Sequence, residues 1–237
     1  MTLADLDIVG LALWMVAFLL STTCHEAGHA LAGLWGGDST AYRAGQVTLN
    51  PWPHIRREPF GMVFVPLISF AWQGFMIGWA SAPYDPRWAG RHPRRAGLMA
   101  AAGPAANLLL LLLAIGAIRL MVATGVGSAP EMVRMDTLVR IASADPLMTA
   151  LARFLSILTM LNGLLLFFNL IPVPPLDGAA IIEGLVGGGP ARMMRLFRTL
   201  PMAGLLGIII AWQLFDFFAP WIFGGILAAL YPGVGYS

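Results

Sequence analysis

The 237-residue chain is 58% hydrophobic and only 11% charged, with a formal net charge of +2 and a mean hydropathy of +0.77. A soluble domain carries about 25% charged residues, so this composition excludes an ordinary water-soluble enzyme and indicates several membrane spans. So small a net charge argues against nucleic acid as a partner, and a single cysteine, Cys24, allows no intrachain disulfide.

The opening "MTLADLD" is acidic and lacks the basic n-region of a signal peptide, so the first helix is expected to stay with the protein. That helix runs from Ile8 to about Trp35, carries "HEAGH" in its second half and ends at "GGD", Gly36 to Asp38. Residues 39 to 60, "STAYRAGQVTLNPWPHIRREPF", are polar and punctuated by prolines, which predicts strand and loop. A hydrophobic stretch from Gly61 to Ala80 is interrupted by Pro66, and a basic loop, "DPRWAGRHPRRAG", follows it. A helix is predicted from about Ala96 to Val122, then a segment of mixed charge from about Ala123 to Asp145. Another helix spans about Leu147 to Leu170 and breaks at "IPVPPLDG". A short amphipathic piece with Arg192, Arg195 and Arg198 precedes a final hydrophobic pair, roughly 200 to 215 and 217 to 230. The expected architecture is all-α: a single integral-membrane domain over residues 1 to 237, a polytopic transmembrane helical bundle with a short strand/loop region and a re-entrant segment.

Nothing is charged from Ile8 to Cys24, and then His25, Glu26 and His29 arrive within about one turn. Histidines four apart stack on one helix face, where two neutral imidazoles can share an ion. Glu26 is rotated about 100° from His25, able to reach a metal-bound water without serving as a ligand. This HExxH pattern is that of a zinc site whose glutamate takes a proton from the activated water. The plainer alternative, a polar cluster cementing two helices, is an expensive use of three ionisable groups in lipid.

Two histidines leave a catalytic zinc one protein ligand short. His54, His92, Glu183, Asp216 and Asp177 compete for the position. His92 lies among Arg91, Arg94 and Arg95, a poor neighbourhood for a cation, and Asp216 has no motif around it. Asp177 follows a transmembrane run in proline-rich irregular backbone, tolerated at membrane depth only where it lines protein or a cavity. Its plainer role is an N-cap for "GAAIIEGL". In "AAGPAANLLL", Gly103 and Pro104 read as packing features, and Asn107 as an interhelical hydrogen bond or a group that orients substrate. Asn162 and Asn169 carry the same ambiguity.

In this order "HEAGH" (25 to 29), "GPAAN" (103 to 107) and "FNLIPVPPLDG" (168 to 178) resemble the site-2 proteases, a family of intramembrane zinc metalloproteases. "GDSTAYRAGQVTLNPWPHI" and "GWASAP" further resemble its compact bacterial and archaeal class without a PDZ domain. The resemblance covers roughly residues 20 to 185, ahead of the hydrophobic segments at 200 to 230. It implies one Zn²⁺ per chain held by His25, His29 and Asp177, with Glu26 as general base, and places Asp177 above His54 as third ligand. His54, Asn107 and Asn169 are left as support for substrate or oxyanion. It also implies a transmembrane protein substrate and a lipid bilayer, with the active site near the cytoplasmic face of a bacterial inner membrane. The chain departs from compact relatives in "HIRREP" and "ASAP", where those often carry an acidic residue and a lysine.

Charge alone constrains the topology. Arg43, Arg56 and Arg57 precede the Pro66 segment, Arg87, Arg91, Arg94 and Arg95 follow it, and Arg192, Arg195 and Arg198 follow Asp177. Were residues 61 to 80 to span the bilayer, the first two clusters would lie on opposite sides and the ligands could not meet. A segment that dips in and returns puts all three clusters on the cytoplasmic side. A catalytically silent chaperone of this architecture would be expected to lose Glu26 or a ligand, and none is missing. A metal transporter would spread polar residues through both leaflets. "TLNP", Thr48 to Pro51, is the stretch expected to pair edge-on with an unwound substrate.

Overall fold

The computed structural model describes residues 7–142 and 145–233. Asp7 opens α1 (Ile8–Gly36) by accepting the Gly10 N–H at 2.7 Å, and Asp145 does the same for α7 (Pro146–Leu170) with the Leu147 N–H at 2.9 Å. Proline occupies the first position of both α6 (Pro93–Ala123) and α7, where no N–H is needed. With α10 (Ala203–Leu230) these make four helices, among the described residues, long and apolar enough to cross a membrane. α1, α6 and α7 pack on one another, and α10 lies against α7 and α6. One part of the core gathers Trp14, Phe18, Ile157 and Leu161, another Ile118, Leu138, Met160 and Ile226.

Two expectations are corrected. Residues 39 to 60 form no strand; they fold into the short helices α2 (Thr40–Arg43) and α3 (Pro51–Arg57). Asn50 caps α3 through the Trp52 N–H at 3.0 Å, and Pro51 starts it, so the prolines that suggested a broken strand initiate a helix. Between them Thr48 is held by local turns, its carbonyl accepting from His54 at 3.2 Å. The strands that do occur, β1 (Gly127–Ser128) and β2 (Arg140–Ile141), pair antiparallel in the mixed-charge segment instead. The final hydrophobic pair is one continuous helix, α10, running through Asp216 and Pro220. A charged residue inside an apolar run reads as a break, yet a backbone in lipid keeps its bonds best by staying helical.

Residues 60 to 85 fold back on themselves. The helix α4 (Phe60–Gln73) is too short for a clean crossing, and it ends at Gly74 in the left-handed conformation. The return is extended, and the Trp79 N–H donates to the Gly61 carbonyl at 3.1 Å, bringing both ends of the segment to the same level. Arg57 donates to Ser81 Oγ at 3.0 Å, closing the mouth of this loop.

The three basic clusters gather at one end of the bundle. Beyond α5 (Pro86–Arg91), Arg95 at the start of α6 donates to the last carbonyl of α1, that of Gly36, at 3.1 Å. Asp38 accepts from Thr40 and from the Asp85 N–H, tying the end of α1 to the start of α5. Arg198, at the end of α9 (Gly188–Arg198), pairs with Glu183 at 2.8 Å. The opposite end holds Asp7, Arg153 and Asp136 in one ion cluster, and Tyr231 there donates to the Leu138 carbonyl at 2.5 Å.

Candidate metal centre

His25, Glu26 and His29 are all buried, in the half of α1 that faces α6. Gly28 lets the two helices meet there: a Cβ on it would come 2.8 Å from the Ala102 carbonyl oxygen. Asp177 is the first residue of α8 (Asp177–Ile181) and, contrary to its plainer role, does not cap it; Leu176 holds the cap position. Its Oδ2 points instead at the imidazoles, 3.1 Å from His25 Nε2 and 3.3 Å from His29 Nε2, which are 3.0 Å from each other. Among the described residues His25, His29 and Asp177 form the group able to surround a metal ion.

The far side of each ring decides what faces this centre. His29 Nδ1 lies 2.8 Å from the Met99 carbonyl and His25 Nδ1 lies 2.5 Å from Asn107 Oδ1, two oxygens that can only accept. Both Nδ1 atoms therefore carry a proton, so each ring in its metal-binding neutral form turns an Nε2 lone pair inward. In that form two lone pairs and a carboxylate oxygen converge on one point. A lone proton could bridge only two of the three, whereas one cation satisfies all. The edges of this triangle match one face of a tetrahedron about zinc, about 3.3 Å on a side for bonds near 2.0–2.1 Å.

The space for the two rings is also kept. A Cβ on Gly103 of α6 would sit 2.3 Å from His29 Nε2 and 2.6 Å from His25 Nε2, too close for either imidazole to stay where it is. In sequence Gly103 reads as a packing feature; its role as the open wall of the centre depends on the α1–α6 crossing.

The remaining candidates are elsewhere. His54 is buried on α3 with its Nε2 on the Thr48 carbonyl, outside the group of possible ligands. His92 starts α6, and Glu183 is paired with Arg198. Asp216 is exposed midway along α10. Asn169 donates within its own helix to the Leu165 carbonyl at 2.9 Å. Asn107 stands behind the His25 ring, with both amide atoms engaged by protein groups. The buried Asn162–Ser21 contact beyond it is visible only once α1 and α7 are packed.

Fold and site together define a helical-bundle metalloprotease with an HExxH helix and an aspartate from a distant loop. The chain belongs to peptidase family M50, the site-2 protease family, whose model matches residues 13–208. It is 36% identical over 181 residues to a Bacillus subtilis (strain 168) protein named as a zinc metalloprotease, YwhC, covering 76% of this chain and 72% of that one. Proteins named as zinc metalloprotease Rip2 match as well. The one from Mycolicibacterium smegmatis (strain ATCC 700084 / mc(2)155) is 27% identical over 77% of this chain and 61% of its own length, under two thirds of that relative. The one from Mycobacterium tuberculosis (strain ATCC 35801 / TMC 107 / Erdman) is 29% identical over 94% of this chain and 75% of that one. No solved structure matches the chain.

Proposed function

We propose that the protein is a zinc-dependent intramembrane endopeptidase, hydrolysing a peptide bond in or near a transmembrane segment of a membrane-protein substrate. The observation that carries this reading is the convergence of three possible ligand atoms, 3.0–3.3 Å apart, inside a bundle with four membrane-length helices among the described residues. His25, His29 and Asp177 hold one Zn²⁺ per chain. A zinc ion held by these residues would supply Lewis-acid chemistry, able to lower the pKa of a water towards about 7 and to polarise the scissile carbonyl. Glu26, next to His25 on the same helix, accepts the proton of the attacking water and passes it to the departing amine. Asn107 and the Met99 carbonyl hold a proton on each Nδ1 and so keep each Nε2 aimed inward.

The site lies toward the end of the bundle that gathers the arginines. Counted as positive-inside loops, these support chemistry near the cytoplasmic face, in our reading that of a bacterial inner membrane, with residues 60 to 85 dipping in and returning.

Glu26→Gln tests the enzyme reading. An amide cannot take the proton, so cleavage of a transmembrane substrate by the purified protein should fall by about 10²–10⁴-fold while zinc content is unchanged. Wild-type rates in zinc-loaded Glu26→Gln would end the proposed proton path and favour a binding protein.

A further inference from the structure

We propose that a one-way chain of hydrogen bonds through Asn162 and Asn107 fixes the tautomer of His25, which makes Asn162 a positioning residue for the metal centre. The chain crosses three helices: Asn162 on α7, Asn107 on α6 and His25 on α1. It begins at the Leu158 main-chain carbonyl, which can only accept and does so from Asn162 Nδ2 at 2.8 Å. This anchors the amide of Asn162, so its Oδ1 must face the other way. There it accepts from Asn107 Nδ2 at 2.8 Å. A second carbonyl, that of Ser21, lies 3.4 Å from the same nitrogen and favours the same orientation. Asn107 Oδ1 is left facing His25 Nδ1 at 2.5 Å and can only accept, so that nitrogen carries the proton and Nε2 presents its lone pair.

Each link has one allowed direction, and the direction is set at a backbone atom. His29 needs no such chain, because a carbonyl, that of Met99, holds its Nδ1 directly. Against His25 stands an amide, which could turn over and offer Nδ2 instead; His25 would then be protonated on the nitrogen meant for the ion. Asn162 prevents that turn from one residue further away. Ser21, which accepts from Asn162 Nδ2 at 2.9 Å, steadies the same anchor. Asn107, Asn162 and Ser21 are all 0% exposed, so no water competes for these bonds. This inference rests on the proposed zinc site.

The test measures zinc affinity of the purified full chain in detergent, by competition with a chromophoric chelator, and the visible spectrum of the Co²⁺-substituted protein. Asn162→Leu should weaken zinc binding by about 10–100-fold and alter the tetrahedral Co²⁺ bands, as loss of an outer hydrogen bond does at other metal sites. Asn107→Leu should weaken it at least as much, and the double variant no further than Asn107→Leu alone, since Asn162 acts only through Asn107. Asn162→Asp, kept neutral by burial, should bind better than Asn162→Leu, because the protonated carboxyl can still donate to the Leu158 carbonyl and accept from Asn107 Nδ2. A cementing role gives the reverse order, the buried carboxyl being costlier to desolvate than leucine. That reverse order would overturn the inference, as would losses that multiply in the double variant or an unchanged affinity in Asn162→Leu. Should the leucine variant fail to fold, Asn162→Asp decides alone: affinity within about threefold of wild type upholds the chain, and a loss of tenfold or more overturns it. A wild-type protein that binds no zinc would defeat the metal site itself, a result distinct from all of these.

Discussion

α1, α6 and α7 on one hand and α10 on the other are all long enough to span a bilayer, yet they treat polar groups in opposite ways. In the first three, His25, Asn107, Asn162 and Ser21 are buried and bonded to one another across helix boundaries. In α10, Gln213 and Asp216 are exposed halfway along the helix, and most of its apolar side chains face outward. What each helix presents explains the difference. Gly28 lets α1 meet the Ala102 carbonyl of α6 and Gly103 leaves room for both imidazoles, so side chains of the two helices meet with fixed geometry, whereas α10 approaches the region of the site with a glycine, Gly207, against the Pro174 carbonyl.

The sharpest way to break that contrast is to crowd the candidate centre itself. A Cβ at Gly103 would lie within 2.6 Å of both imidazole Nε2 atoms and push the rings out of place. Gly103→Ala should therefore lose essentially all bound zinc and all activity. The apoprotein should lose some stability as well, because crowding a packed interior typically costs about 1–3 kcal/mol, more than the roughly 0.8–1.0 kcal/mol of helix propensity that alanine gains over glycine. Metal analysis together with thermal unfolding of the apoprotein checks both halves. Zinc retained at one per chain would mean that the centre is not where these residues converge.

A smaller effect asks whether α10 belongs to the site at all. A Cβ on Gly207 would fall 1.5 Å from the Pro174 oxygen, three residues before Asp177, so something has to move. If α10 braces the loop, Asp177 shifts with Pro174, and Gly207→Ala should weaken zinc binding by roughly tenfold, the lower end for support around a metal. Should zinc affinity stay at the wild-type value while the melting temperature drops, α10 is an attached span and nothing more.

The same contrast separates what the sequence discloses from what it hides. His25, Glu26 and His29 are legible because their spacing is a property of one helix, and Asp177 because proline-rich backbone after a span needs a reason to be there. The resemblance to site-2 proteases then joins the two. Thr40–Arg43 and Pro51–Arg57 are misread as strand because prolines and short polar runs mark loops and helix starts alike. α10 is misread as two pieces because Asp216 interrupts hydropathy without interrupting hydrogen bonding. The partners of Asn107 and the open face of Gly103 are set by residues 55 to 86 positions away, and no local pattern announces them. Periodicity reports a helix's faces; it does not report which atom of a neighbouring helix each face will meet.

The smallest expected effect lies at the end of the bundle opposite the arginine clusters, where α1 begins. The Asp7 carboxylate pairs with Arg153 and caps α1 through the Gly10 N–H, and these two contacts hold its pKa below the ordinary value. A carboxyl with a lowered pKa in the folded state stabilises the fold fully above its unfolded pKa of about 3.9, and the gain disappears as pH falls through the lower, folded value. The contribution of Asp7 should thus be constant from pH 7 to about 5 and fade below about 4. It should also be modest, because the pair is partly exposed and salt screens it. Thermal unfolding of the apoprotein, wild type against Asp7→Asn, isolates it from acid release of the metal. The two melting curves should differ at neutral pH and converge in acid, and the zinc affinity of both should be equal at pH 7. A gap that persists unchanged at low pH would show that the asparagine perturbs the start of α1 by something other than charge.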